Sequence, residues 1–165
     1  MRTTRVTTAL ILTAASALLA GGCGWSPKAP PPAGPDTCTT ADGPHPEVVT
    51  AAVRALPSGA WTVRGSGHTA NCALYWVQVG PLNNKAPDSP SQVLFFTKNT
   101  PLGSPTPAPR PYTTVTAATA DTVNVQYQWQ QAGDRPGLPT GIGSVRFTVQ
   151  DGKLKALDPI PGPAS

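Results

Sequence analysis

The sequence predicts an α+β fold, with one short N-terminal helix packed on a mostly antiparallel sheet of about six strands. Three observations carry that expectation. Residues 47–56 have apolar positions at helical spacing. Several later runs are β-branched and aromatic, and two of them alternate with period two. The links between runs are too short for the crossovers of a dozen or more residues that parallel pairs need. A small all-β sandwich or half-barrel is the alternative architecture.

The elements follow in chain order. Gly43-Pro44-His45-Pro46 punctuates the chain ahead of the helix, in which Val49, Ala52, Val53 and Leu56 share one face. Pro46 suits the first turn, Glu47 the positive helix end, and Pro57 the stop. Residues 60–64 form a brief strand, and Gly65-Ser66-Gly67-His68 reads as a glycine-rich surface turn. Residues 73–79 are aromatic and β-branched. The nearly continuous apolar run of residues 92–97 marks a central strand. Residues 102–111 are proline-rich and read as a rigid loop between strands; the alternative is a stiff extended recognition segment, although their alternate proline spacing is not the one read by common proline-binding grooves.

A threonine-rich strand follows at residues 112–119. In residues 122–130, Val123, Val125, Tyr127 and Trp129 face one way, and Asn124, Gln126, Gln128 and Gln130 the other. Residues 144–150 turn Val145, Phe147 and Val149 inward. Asp151-Gly152 is a two-residue hairpin signal. Residues 153–157 complete that hairpin, Lys153 and Lys155 guard a solvated edge, and Asp158-Pro159 ends it.

The amino end indicates where the protein works. Arg2 and Arg5 precede an uncharged apolar run, residues 6–20, which closes on Leu19-Ala20-Gly21-Gly22-Cys23. That is the layout of a signal peptide. The run is shorter than the about 20 residues a transmembrane helix needs. Its end resembles the lipobox of bacterial lipoproteins, with Ala20 where leucine is commoner. The resemblance implies cleavage before Cys23 and a diacylglyceryl thioether on its sulfur. One acyl chain holds only marginally, at about 0.8 kcal/mol per buried methylene, whereas two or three anchor stably without a helix. The expected organisation is a signal peptide at 1–22, a lipidated proline-rich tether at 23–37, a folded domain at 38–161 and a flexible tail at 162–165. At about 3.1 Å per residue the tether reaches roughly 40 Å.

Composition excludes several functions. Removal of residues 1–22 takes away two of the 12 basic residues and none of the eight acidic ones, and the rest are scattered. No basic stripe for nucleic acid exists. With Cys23 assigned to lipid, Cys38 and Cys72 admit one intramolecular pairing, and an exported chain permits it. The bond would stabilise the fold by roughly 3–4 kcal/mol. A metal or catalytic thiol is the competing reading, but His45 and His68 do not form a ligand pair, so no metal is expected. No Walker loop, dinucleotide fingerprint or paired-carboxylate motif is present. Ser66 and His68 lack the spacing of a nucleophile elbow, which leaves a Ser/His hydrolase as a remote alternative. Trp61, Tyr75, Trp76, Tyr127 and Trp129 supply core, or in part an apolar ligand cleft.

Cys72-Ala73-Leu74-Tyr75-Trp76-Val77, Pro90-Ser91-Gln92-Val93-Leu94-Phe95-Phe96 and Asp121-Thr122-Val123-Asn124-Val125-Gln126-Tyr127-Gln128-Trp129 occur in that order. Pro139-Thr140-Gly141, Val145-Arg146-Phe147 and Leu157-Asp158-Pro159-Ile160-Pro161 continue the series. Their order behind a lipobox resembles the LppP/LprE lipoprotein family of mycobacteria and relatives, over about residues 45–161. The resemblance implies an actinobacterial envelope lipoprotein, and it brings no enzymatic activity or catalytic residues. The expected protein is a non-enzymatic monomer on the extracytoplasmic face of the cell membrane. It has no cofactor beyond the acyl anchor on Cys23, and it presents its domain to an envelope protein or lipid. The alternative is a carrier or sensor of a small apolar envelope ligand.

Overall fold

In the computed structural model, residues 38–57 and 59–162 are described, and all of them belong to one unit, Pro32–Ser165. The signal-peptide, lipobox and tether readings, Cys23 included, lie outside the described residues, as do tail residues 163–165. After a 3-10 turn at Thr40–Asp42 comes helix α1, Pro46–Arg54. Eight strands follow: β1 Trp61–His68, β2 Tyr75–Pro81, β3 Gln92–Thr97, β4 Thr100–Gly103, β5 Thr114–Ala118, β6 Val123–Trp129, β7 Gly141–Gln150 and β8 Lys153–Ala156. They form two four-stranded antiparallel meanders, β1-β2-β3-β4 and β5-β6-β7-β8.

The strands thus number eight in two sheets, where one sheet of about six was expected. The proline-rich segment is the reason. Its first residues, Leu102 and Gly103, complete the strand Thr100–Gly103, which pairs with β3 as an edge strand, where Pro101 is tolerated. Its remainder crosses to the second sheet. Gln92 Nε2 donates to the Thr106 carbonyl at 2.7 Å, and the Thr106 hydroxyl returns a bond to Gln92 Oε1 at 3.2 Å. Both residues are buried and satisfied, which makes this polar pair a rigid clasp. Ser91 and Arg110 add an isolated antiparallel bridge.

The side-chain alternation of the first sheet builds three layers. On one face Tyr75, Val77, Val79, Leu94 and Phe96 pack against Val48, Val49, Ala52, Val53 and Leu56 around α1. On the other face Val93 and Phe95 meet Val123, Val125, Tyr127, Val145 and Phe147 of the second sheet. The rings of Phe95 and Phe147 lie 5.3 Å apart across that interface. The helix-on-sheet layer and the sandwich of the alternative reading therefore coexist.

Local chemistry explains the joints. Asp151 and Gly152 both take positive φ, 52° and 70°, as a tight hairpin between right-twisted strands requires. The β8 lysines stand on an edge strand, as expected. Trp129 packs over Gly141, where a Cβ would fall inside the indole, so that glycine is fixed by close approach. Arg146 clasps Asp158: Nη2 donates to Oδ1 at 2.8 Å and Nε to Oδ2 at 2.9 Å, and the Arg146 amide donates to Oδ2 at 3.0 Å.

Those bonds, the guanidinium's first, hold the Asp158 carboxyl down at about 2. A depressed folded value contributes stability above the unfolded value of about 3.9, and that stability is lost as pH falls through the folded value. Urea midpoints of the wild type should therefore drop between about pH 4 and pH 2, and Asp158→Asn should flatten part of that slope. An identical slope in the variant would remove Asp158 as a cause.

Candidate functional site

The β1–β2 turn is built by its polar side chains. The fully buried Thr69 receives the Leu74 amide on its hydroxyl at 3.1 Å and donates to Asn71 Oδ1 at 2.8 Å. Asn71 Oδ1 also accepts the Ala73 amide at 3.0 Å, as an Asx turn does. This holds Cys72 at φ 60°, a left-handed conformation that side chains rarely adopt. Cys72 is bonded there to Cys38, with the two Cα atoms 5.8 Å apart. The disulfide pins the chain that leads through Gly43 and Pro44 into α1.

A cavity of about 360 Å³ lies where that chain, α1 and the β1–β2 hairpin meet. Pro44, Pro46, Val49 and Thr50 form one wall. Val63, Ser66, Gly67 and His68 form the second, with Tyr75, Trp76 and Val77 beneath. Its lining is mainly apolar, and its volume falls within the usual range for small-ligand pockets. His68 Nδ1 sits 3.1 Å from the Thr69 carbonyl and 3.3 Å from Cys38 Sγ, and its ring lies 5.7 Å from that of Tyr75. The Tyr75 hydroxyl and Trp76 Nε1 are buried with no partner among the described residues.

The sequence-predicted residues are only partly brought together. Tyr75 and Trp76 line the cavity. Trp61 packs in the helix-side cluster, and its Nε1 donates to the Pro57 carbonyl at 3.0 Å. Tyr127 is core of the sandwich, where burial pushes its phenol up to about 12 against the opposing effect of Arg110, 5.1 Å above the ring. Trp129 belongs to the second sheet, so the five aromatics do not form one cleft.

Gly65-Ser66-Gly67-His68 is not a surface turn but the second half of β1. The Trp76 indole from β2 lies over both glycines, and a Cβ at Gly67 would meet it at 2.9 Å. Ser66 and His68 share the cavity face, yet no hydrogen bond joins them, and His68 is engaged by Thr69 and Cys38 instead. No metal-holding cluster exists among the described residues. Sequence reasoning missed Pro44, Val49 and Val63 as cavity walls. Only Val49 carried a signal, as part of the apolar face of the helix; Pro44 and Val63 carried none.

The model of the LppP/LprE lipoprotein family matches residues 66–152, more than half of the chain. The chain belongs to the LppP/LprE lipoprotein family. Lipoproteins named LppP from Mycobacterium bovis and Mycobacterium tuberculosis are similar to it. Each is 48% identical over 147 residues, covering 86% of this chain and 83% of the relative. No solved structure matches it. As an LppP/LprE lipoprotein the chain has an envelope, membrane-associated family context, and no described helix is long and apolar enough to cross a membrane.

Proposed function

We propose that this LppP/LprE protein is a lipid-anchored, non-enzymatic binding lipoprotein on the extracytoplasmic face of the cell membrane. Its domain takes a small apolar envelope molecule into the cavity beside α1. The observation that carries the reading is the apolar cavity itself, walled by the disulfide-pinned segment and by Tyr75 and Trp76. Its serine and histidine are not joined, so it offers a place to bind and no nucleophile–base pair. The anchor reading rests on Cys23 behind its signal peptide, and the family supports it.

Two variants test the two halves. Cys23→Ala is expected to leave the membrane fraction, as judged by immunoblotting of fractionated cells. Full retention would refute the lipid anchor. Val63 is half exposed at the cavity wall, so Val63→Asp places a carboxylate there at little cost in stability. Against a fluorescent fatty acid the variant is expected to bind about tenfold more weakly, the effect of roughly 1.4 kcal/mol. Equal affinity would place the apolar ligand elsewhere.

A further inference from the structure

A second pocket, of about 250 Å³, lies at the opposite end of β1 and β2. It begins with a bulge in β1 between Val63 and Gly65, which leaves Arg64 without a partner in the register. Bulges re-aim side chains. Here the Arg64 chain crosses Gly80 of β2, where a Cβ would come within 3.0 Å of Nε. Arg64 Nη2 donates to the Pro81 carbonyl and, at 2.6 Å, to the Asn84 carbonyl. These two dipoles fix the guanidinium without neutralising it. No carboxylate lies within ion-pair reach of it among the described residues.

The facing wall is the loop of residues 82–91, and it is held in place. Asn84 Oδ1 accepts the Ala86 amide at 3.0 Å, the Ala86 carbonyl accepts the Ser89 amide at 2.9 Å, and the Pro87 carbonyl accepts the Tyr112 amide at 3.1 Å. The loop brings Lys85 and Ser89 to the pocket. Ser89 is only 7% exposed, and its hydroxyl has no partner among the described residues. At the back, Gln78 Nε2 donates to the Thr113 carbonyl at 2.8 Å. The lining holds two cations and an orphaned buried hydroxyl but no acidic residue, and Asp88, next to Ser89, is not on the wall.

We propose that this pocket binds a phosphate ester. Arg64, whose Nη2 hydrogens are taken by the Pro81 and Asn84 carbonyls, would donate from Nη1 to one oxygen, Lys85 would act as a point charge, and the Ser89 hydroxyl would donate to another oxygen. Its volume of about 250 Å³ suits a phosphate with a glycerol-sized substituent. Both a phospholipid headgroup and a soluble phosphate ester carry this chemistry. The site is independent of the apolar cavity, whose walls it shares with no residue.

The test uses the full-length protein in detergent. It is titrated with glycerol 3-phosphate at constant ionic strength, and separately with micelles doped with phosphatidylglycerol. Saturable binding of the soluble ester, or of the doped micelle alone, supports the site and identifies the source. Arg64→Gln is expected to weaken that binding about tenfold, as loss of a charged hydrogen-bond donor does. The exposed-loop variant Lys85→Gln should weaken it about threefold without touching the fold, and it carries the test if Arg64→Gln does not fold. Lys153→Gln on β8 should leave it unchanged. No saturable binding in either arm, or equal binding by wild type and Lys85→Gln together with every folded Arg64 variant, would overturn the proposal.

Discussion

Phe95→Ala is expected to destabilise the domain by about 3–5 kcal/mol, the range for truncating a buried phenylalanine. Phe95 is fully buried on the sandwich face of β3 and meets the Phe147 ring of β7. It is thus one of the contacts through which the first sheet holds the second. A domain of this size has only about 5–15 kcal/mol in hand, so the variant should approach unfolding at growth temperature. Phe147→Ala should cost a similar amount. The double variant should cost less than the sum, because the ring–ring contact is lost once. Urea unfolding of the four proteins measures this. Strict additivity would show that the two rings do not couple the sheets.

Loss of the disulfide is expected to have the next largest effect. Cys38 and Cys72 are 34 residues apart, and that loop encloses the 3-10 turn, α1 and β1. Chain entropy assigns the bond about 4 kcal/mol, which corresponds to a fall in Tm of roughly 10–20 °C. The double variant Cys38→Ala with Cys72→Ala removes it without leaving free thiols. The left-handed φ of Cys72 adds a finer expectation. Cys38→Ala with Cys72→Gly should recover about 1 kcal/mol of the loss, because glycine takes that conformation without a Cβ penalty. Calorimetry of the three proteins tests both steps, and an unchanged Tm in the alanine pair would remove the staple from the account. Because the bond pins the segment that walls the apolar cavity, the alanine pair should also bind a fluorescent fatty acid more weakly than wild type.

Much of the fold was legible because it is local. The alternation of Val123, Val125 and Tyr127 put them in the core, where they are fully buried or nearly so. Asp151-Gly152 set its hairpin, and Pro46 the start of its helix. What was not legible depends on residues distant in sequence. Gly65 and Gly67 look like turn residues until the Trp76 ring from the next strand is laid over them. Strand patterns also do not say which sheet a strand joins. The division falls at the loop between β4 and β5, which the Gln92–Thr106 pair ties back to β3. The aromatics were legible as apolar mass, but nothing local separates Tyr75 at a cavity wall from Tyr127 in the sandwich core. Arg64 gave no signal at all, since its role comes from a bulge and from the missing side chain of Gly80.

The central claim is a lipid-anchored, disulfide-stapled binding domain. Intact mass spectrometry of protein extracted from its native membrane, run with and without reductant, tests it most directly. The account predicts a mass that begins at residue 23, carries two or three acyl chains, and gains two hydrogens on reduction. An unlipidated mass, or one that reductant leaves unchanged, would contradict it.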